Sequence, residues 1–370
     1  MALFRQQQAV TLAGWALASG ILPVWVLLSS PALVDGAGCS FEPAPVDPHA
    51  PFTRHLPKSC TQQERDRLAV HAEELLSALT EGRGIDLAGV VVTGDLAFDR
   101  LPLKPAAAAD FPLPRLKEVV ESRRITEVRV IGGPLSLRDS VVHGEIASNL
   151  REGLLLVQGP VITSGTTFER KVDFSHAAFS ASVDFSDSIL LQQGFFIEAV
   201  FTRPARFERT AFGVHSRFHR AVFADTVTFL RAGFSGLSEF LEVSFEKDAS
   251  FSRTYFKKGA GFSGSRFRGG LDFSEATFER EAFFLFTLFE GDAYFRRGTF
   301  RATADFSDAE FKGLADFSKV FFEIEPNFAR TKSNPNRRSL GGLQDPKVLY
   351  AIVAAVLVFI LAFILVLRKM

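Results

Sequence analysis

The chain has 370 residues, 42 Lys plus Arg against 42 Asp plus Glu, and two cysteines. That length supports one or two sizeable cores. The balanced charge excludes, in the totals, both the basic surface of a nucleic-acid binder and the acidic surface of a nucleic-acid mimic.

Residues 1–38 hold an apolar run at 9–34, AVTLAGWALASGILPVWVLLSSPALV, behind Arg5. Two readings fit it: a signal peptide cut near Gly36-Ala37-Gly38, or an N-terminal transmembrane anchor, in which Pro23 is tolerated. A lipid-modified Cys39 fits less well, because Asp35-Gly36-Ala37-Gly38 lacks the usual Leu or Val three places before the cysteine. Either reading exports the body of the chain, and Cys39 and Cys60 are then expected to form a disulfide in an oxidising compartment. They do not make a CxxC redox or zinc pair.

Residues 39–84 read as the disulfide loop and a capping helix. The helix is predicted over 61–80, TQQERDRLAVHAEELLSALT, with Ser59 or Thr61 as its cap. Leu68, Leu75, Leu76 and Leu79 give it an apolar face, and Gly82 and Gly84 stop it. Its expected role is to cover the open end of the repeat body that follows. Residues 85–165 read as an imperfect lead-in. Short β-rich runs at 85–98, 125–139 and 141–147, then Leu154-Leu155-Leu156-Val157 and Val161-Ile162, use Leu, Val and Ile as core residues. Residues 101–114, with four prolines and an Ala run, are an excursion from it.

From 166 to 328 the pattern is regular. Large apolar residues fall at Phe168, Phe174, Phe179, Phe185, Leu190, Phe196, Phe201 and Phe207, and continue in alternating steps of six and five to Phe317, Phe322 and Phe328. Of these 30 positions, 29 are Phe. The demand is for one ring shape, since the whole chain has 40 Phe, 3 Tyr and 2 Trp, and this points to a repeat. Two residues before nearly every Phe stands a small or β-branched residue, and the residue between is often charged, as in Asp173, Arg206 and Glu239. In, out, in is the alternation of a short β-segment. A helix does not explain steps of five and six, and the glycines at 259, 261, 264, 269 and 270 disfavour one. The predicted inward ladder includes Phe168, Phe174, Phe185, Phe207, Phe218, Phe229, Phe240, Phe251, Phe262, Phe273, Phe295, Phe306 and Phe317.

Units such as Val183-Asp184-Phe185-Ser186-Asp187, Leu271-Asp272-Phe273-Ser274-Glu275 and Ala315-Asp316-Phe317-Ser318-Lys319 resemble the pentapeptide-repeat proteins, in a Phe-centred variant. The resemblance implies an all-β solenoid, a right-handed quadrilateral β-helix with four repeats per coil. The departure is an extra residue in every second unit, to be absorbed at a corner as a bulge, which makes one coil 22 residues. The family also implies a bacterial chain.

Residues 329–347 read as a polar linker. Residues 348–367, VLYAIVAAVLVFILAFILVL, are uncharged and long enough to cross a bilayer as a helix. Arg368-Lys369-Met370 follows as a cytoplasmic tail. The solenoid is therefore expected on the extracytoplasmic side of a bacterial cell membrane, single-pass or double-pass.

The sequence offers no catalytic constellation: it contains no G-x-S-x-G, P-loop or H-E-x-x-H motif. His215 and His219 are spaced as a helical metal pair, but in β-structure they flank the inward Phe218 and are expected to face solvent. No cofactor, metal or nucleic acid is expected. The favoured reading is a membrane-tethered scaffold or binding module without catalysis, whose partner is another envelope or membrane protein or a cell-envelope polymer, with self-association as a further reading. The alternatives are an accessory domain of a transport or channel assembly and an envelope enzyme acting on a polymer. Topoisomerase-binding mimicry of DNA, known in the family, conflicts with export and balanced charge.

Overall fold

The computed structural model describes residues 39–107, 111, 113–148, 150 and 153–333, and the backbone of 338–339. The segments 1–38 and 348–367 with its basic tail, read above as membrane or targeting elements, lie outside the described residues. Among the described residues no helix is long and apolar enough to cross a membrane.

The chain winds through four sheets of 12, 11, 9 and 11 strands. The first face starts with Phe52–His55, Ile85–Ala88 and Leu135–Arg138 and proceeds through Val183–Asp184 to Ala315–Asp316 and Arg338–Ser339. The second runs from Val70–His71 to Phe321–Phe322, the third from Leu96–Ala97 to Ala304–Asp305, and the fourth from Leu103–Pro105 to Lys332–Ser333. All pairings are parallel except that of Leu103–Pro105 with Glu127–Ile131. With strands about 4.8 Å apart, twelve layers make a body roughly 50 Å long.

Register gives the coil length directly. Val183 pairs with Ala205, and Ala205 with Val227, a separation of 22 residues. In the lead-in Val161 pairs with Leu135, 26 apart, and Leu135 with Ile85, 50 apart. The extra length in that coil holds the proline-rich excursion and the helix Pro114–Ser122 that follows it. The strands also overrun the expected boundaries. Phe52–His55 and Val70–His71 enter sheets before residue 85, and Lys332–Ser333 and Arg338–Ser339 pair with strands of the last regular coils inside the stretch read as linker. A solenoid edge is a row of open backbone donors and acceptors, so adjoining chain of almost any composition can add a strand there.

The alternation of five and six separates two kinds of corner. In the five-residue steps a tight turn closes, with the Ala177 N–H donating to the Phe174 carbonyl and the Ser188 N–H to that of Phe185. The residue before each donor has positive φ, as at His176, Asp187, Glu198 and Arg209, recurring every 11 residues. The six-residue steps hold the additional residue in wider corners, such as Ser180-Ala181-Ser182, so the strand pairing runs on without a bulge. The Asp-Phe-Ser triplets have a local cause. Each Asp accepts the N–H of the Ser two residues on: Asp184 from Ser186 at 2.9 Å, Asp272 from Ser274 at 2.8 Å and Asp305 from Ser307 at 2.8 Å. This satisfies a donor where the chain leaves the strand. Several buried hydroxyls donate to backbone carbonyls. Thr210 Oγ1 donates to the Phe185 carbonyl at 2.7 Å, and Thr254 to that of Phe229 at 2.8 Å, which removes the cost of an unpaired buried group.

The ladder residues predicted from the sequence are all buried. Rings one coil apart lie nearly parallel: Phe218 and Phe240 at 4.7 Å, Phe240 and Phe262 at 4.9 Å, Phe262 and Phe284 at 5.1 Å. Neighbouring ladders meet edge to face, as Phe251 with Phe262 at 5.4 Å. Both arrangements are favoured by the ring quadrupole.

The helix predicted over 61–80 is broken in two. Helix α1 is Gln62–Arg67 and α2 is Ala72–Thr80. Thr61, and not Ser59, caps α1, with a capping box to Glu64. Between them Val70 is buried in the second face and pairs with Val92. A short helix is marginal by itself, so joining a sheet outweighs continuing the helix. Leu75, Leu76 and Leu79 of α2 enter the main core, and α2 packs beside Leu96–Ala97 at the start of the third face. Cys39 and Cys60 form a disulfide, 21 residues apart in sequence. Closing a loop of that length stabilises the fold by about 3 kcal/mol in the chain-entropy picture.

Candidate binding surface

The interior is nearly the same in every coil, so distinguishing chemistry must lie on outward positions. On the first face the outward row reads Asp184, Arg206, Thr228, Ser250, Asp272, Tyr294, Asp316, one residue per coil. Tall side chains stand at both ends and short ones in the middle. The result is an open groove of about 630 Å³, bounded by Arg206 at one end and Tyr294 and Arg296 at the other, with Thr228, Ser250 and Gly270 in its floor. This volume lies in the range of small-ligand sites.

The groove's arginines are already paired. Arg206 is 3.6 Å from Asp184, and Arg296 pairs with Asp316. Burial works against ionising Asp316, yet the hydrogen bonds from Arg296 and Ser318 hold its carboxyl below the usual range. The Arg296 guanidinium also lies 4.4 Å from the Tyr294 ring centre. The Tyr294 hydroxyl donates to Asp292 at 3.2 Å, and partial burial with the Asp292 charge raises its pKa.

A second cluster occupies the third face. His215 Nε2 lies 2.7 Å from Glu239 Oε2, Arg217 Nε donates to the same oxygen at 2.8 Å, and His219 Nε2 is 3.4 Å from it. The expectation that both histidines simply face solvent is corrected: they are partly buried and converge on one carboxylate oxygen. The reason is register, since Glu239 sits one coil above Arg217. Burial pushes the His219 pKa down, outweighing the attraction of Glu239. Burial would raise Glu239, but the hydrogen bonds of His215 and Arg217 prevail and lower it. Arg217 and Glu239 form an ion pair, and both imidazoles lie against the same carboxylate. Among the described residues no group of three or more His, Cys, Asp or Glu could hold a metal ion.

The fourth face carries a helix that sequence reasoning missed. Helix α3, Pro114–Ser122, lies outside the coils. Its Leu116 and Val119, with Phe111, cover the outward apolar residues Leu156, Val200 and Val222. Arg115 reaches Glu246 at 3.4 Å, and Arg123 donates to the Glu198 carbonyl at 2.8 Å. The signal was present in Pro114 at the first helical turn followed by Leu116, Val119 and Val120 at helical spacing. The groove had no such signal, because threonine and serine in a row form no motif.

Residues 251–299 and 273–320 match the family model for pentapeptide repeats (9 copies). No curated protein and no solved structure matches the chain. Over the matched stretch the chain is a β-solenoid whose repeats are similar to pentapeptide repeats.

Proposed function

We propose that this chain is a membrane-tethered extracytoplasmic scaffold or binding module without catalysis, held at a bacterial cell membrane by a helix at 348–367. The observation that carries the reading is the contrast between a repetitive ring-stacked interior and an irregular exterior, with an open groove on the first face. A rigid body of this kind positions a partner; its outward aspartates serve local turns and ion pairs. The Cys39–Cys60 disulfide supports an oxidising compartment. In this reading α1 and α2 cap the first coil, and the coils are right-handed, the hand that connections between parallel strands of one sheet adopt almost without exception.

The test is proximity crosslinking in native membranes, with photoreactive groups at Glu239, Asp272 and Asp305. Asp272 lines the groove, while Glu239 and Asp305 lie on the third face. A reproducible protein or envelope-polymer adduct supports the reading and names the partner. Self-adducts alone, or none at any site, overturn it.

A further inference from the structure

We infer that the groove on the first face binds a linear, uncharged oligosaccharide lying along the solenoid axis. The inference deepens the binding-module reading and rests on it.

Shape sets the first condition. From Arg206 to Tyr294 the outward row advances four coils, roughly 19 Å at about 4.8 Å per layer. Over that span the floor has only short side chains, so an extended ligand fits and a bulky compact one gains little contact.

Charge sets the second. Arg206 and Arg296 line the groove together with Asp248 and Asp272; with Asp184 and Asp316 counted, two guanidinium groups stand against four carboxylates. Both arginines already hold carboxylates, Asp184 and Asp316. An anionic polymer would have to displace those partners and would also meet Asp248 and Asp272, a cost that a neutral ligand avoids.

The hydrogen-bonding groups set the third. Thr228 Oγ1 accepts from the Leu230 N–H at 3.2 Å and Ser250 Oγ from the Ser252 N–H at 3.4 Å, which leaves both hydroxyl hydrogens to donate. Asp248 accepts the Gly270 N–H through Oδ1 at 2.7 Å, and Asp272 accepts the Ser274 N–H through Oδ1, leaving each a second oxygen as an acceptor. Alternating donors and acceptors beside the flat Tyr294 ring match sugar hydroxyls and the apolar face of a pyranose; aromatic rings with one polar tip suit such mixed surfaces.

The backbone argues against an extended peptide. Peptides in β-conformation bind by pairing with an open sheet edge. Here the donors are consumed between coils: Phe207 to Thr228 at 2.8 Å, Phe229 to Ser250 at 2.7 Å and Phe251 to Asp272 at 2.7 Å. The groove presents a sheet face with side chains alone to offer.

The test uses the full-length chain in detergent micelles and isothermal titration with linear tetrasaccharides: β-1,4-linked N-acetylglucosamine, β-1,4-, α-1,4- and β-1,3-linked glucose. At least one is expected to bind at a single site. Ser250→Arg, at an outward row position where Arg206 already shows that arginine is accommodated, fills the floor and should weaken binding at least tenfold. Tyr294→Ala should do the same. Thr277→Arg, outward on the second face, should leave binding unchanged, and matching thermal melts confirm that the variants are folded. Failure of all four sugars, or equal binding by Ser250→Arg, overturns the inference. An extended peptide that binds instead, and is blocked by Ser250→Arg, overturns the sugar assignment while the scaffold reading stands. That broader reading falls separately, on the absence of a crosslinked partner.

Discussion

Phe262 is the sharpest test of the stacked interior. It is fully buried, with Phe240 and Phe284 stacked on either side at 4.9 and 5.1 Å. Three further rings meet it edge to face: Phe251 at 5.4 Å, Phe256 at 6.0 Å and Phe273 at 5.2 Å. Phe→Ala substitutions in cores cost about 3–5 kcal/mol, and the loss grows when the cavity cannot collapse. Here collapse is resisted, because the strand ladder fixes the spacing of the coils that carry the neighbouring rings. Phe262→Ala is therefore expected at the upper end, about 5 kcal/mol, with Phe262→Leu recovering much of it by restoring volume. Arg266 is half-exposed and 3.6 Å from Glu290, and Glu275 pairs with Arg253 on the surface. Such pairs contribute little, so Arg266→Ala and Glu275→Ala should barely move the transition. Chemical denaturation followed by far-UV circular dichroism measures all four. Equal losses for Phe262→Ala and the two surface variants would refute the inward assignment of the ladder.

Three further outcomes follow from single positions. A Cβ at Gly291 would sit 2.2 Å from the Gly269 carbonyl oxygen, whereas one at Gly233 meets nothing within 4 Å; Gly291→Ala should lower the melting temperature clearly and Gly233→Ala should not. Leu116→Ala should cost about 2–4 kcal/mol in the attachment of α3, seen as faster hydrogen exchange over 113–124 with protection around Phe262 unchanged. Because burial holds the folded His219 pKa below its unfolded value of about 6.5, the unfolded chain takes up that proton first on acidification. Stability is thus lost as pH falls through 6.5 toward the folded pKa. His219→Gln should flatten melts compared between pH 7.5 and 5.5, while the contribution of Glu239, whose folded pKa is lowered, persists until pH falls below about 4.5.

The regular body was legible because its physics is periodic. Inward Phe and outward Asp recur at fixed steps, and the sum of five and six, taken twice, is the 22-residue register seen between Val183 and Ala205. What the sequence concealed depends on contacts distant along the chain. The break between α1 and α2 arises because Val70 finds Val92, which no helical propensity near Leu68 announces. The strands at 52–55 and 332–333 exist because an open edge accepts them. The position of α3 depends on apolar outward residues as far away as Val200 and Val222. The His215–Glu239 contact needs the coil register before the two residues become neighbours.

The same logic puts the proposed binding on the exterior. Inward positions are filled by rings, aliphatic or small residues and hydroxyls, so variation there mostly breaks the fold. An outward position is free to change, and a departure from one coil to the next is the only way such a body can mark a place along its length. Three faces show such marks in different forms. The fourth is covered by α3 as far as the coil of Glu246, and the third spends His215, His219 and Arg217 on a single carboxylate. On the first, side-chain height falls from Arg206 to Ser250 and rises again to Tyr294, while the flanking charges are paired off along the row. A covered face and a self-paired cluster have little left to offer a ligand, whereas the open groove retains hydroxyl hydrogens and carboxylate oxygens. The binding proposed for this solenoid therefore falls to the first face.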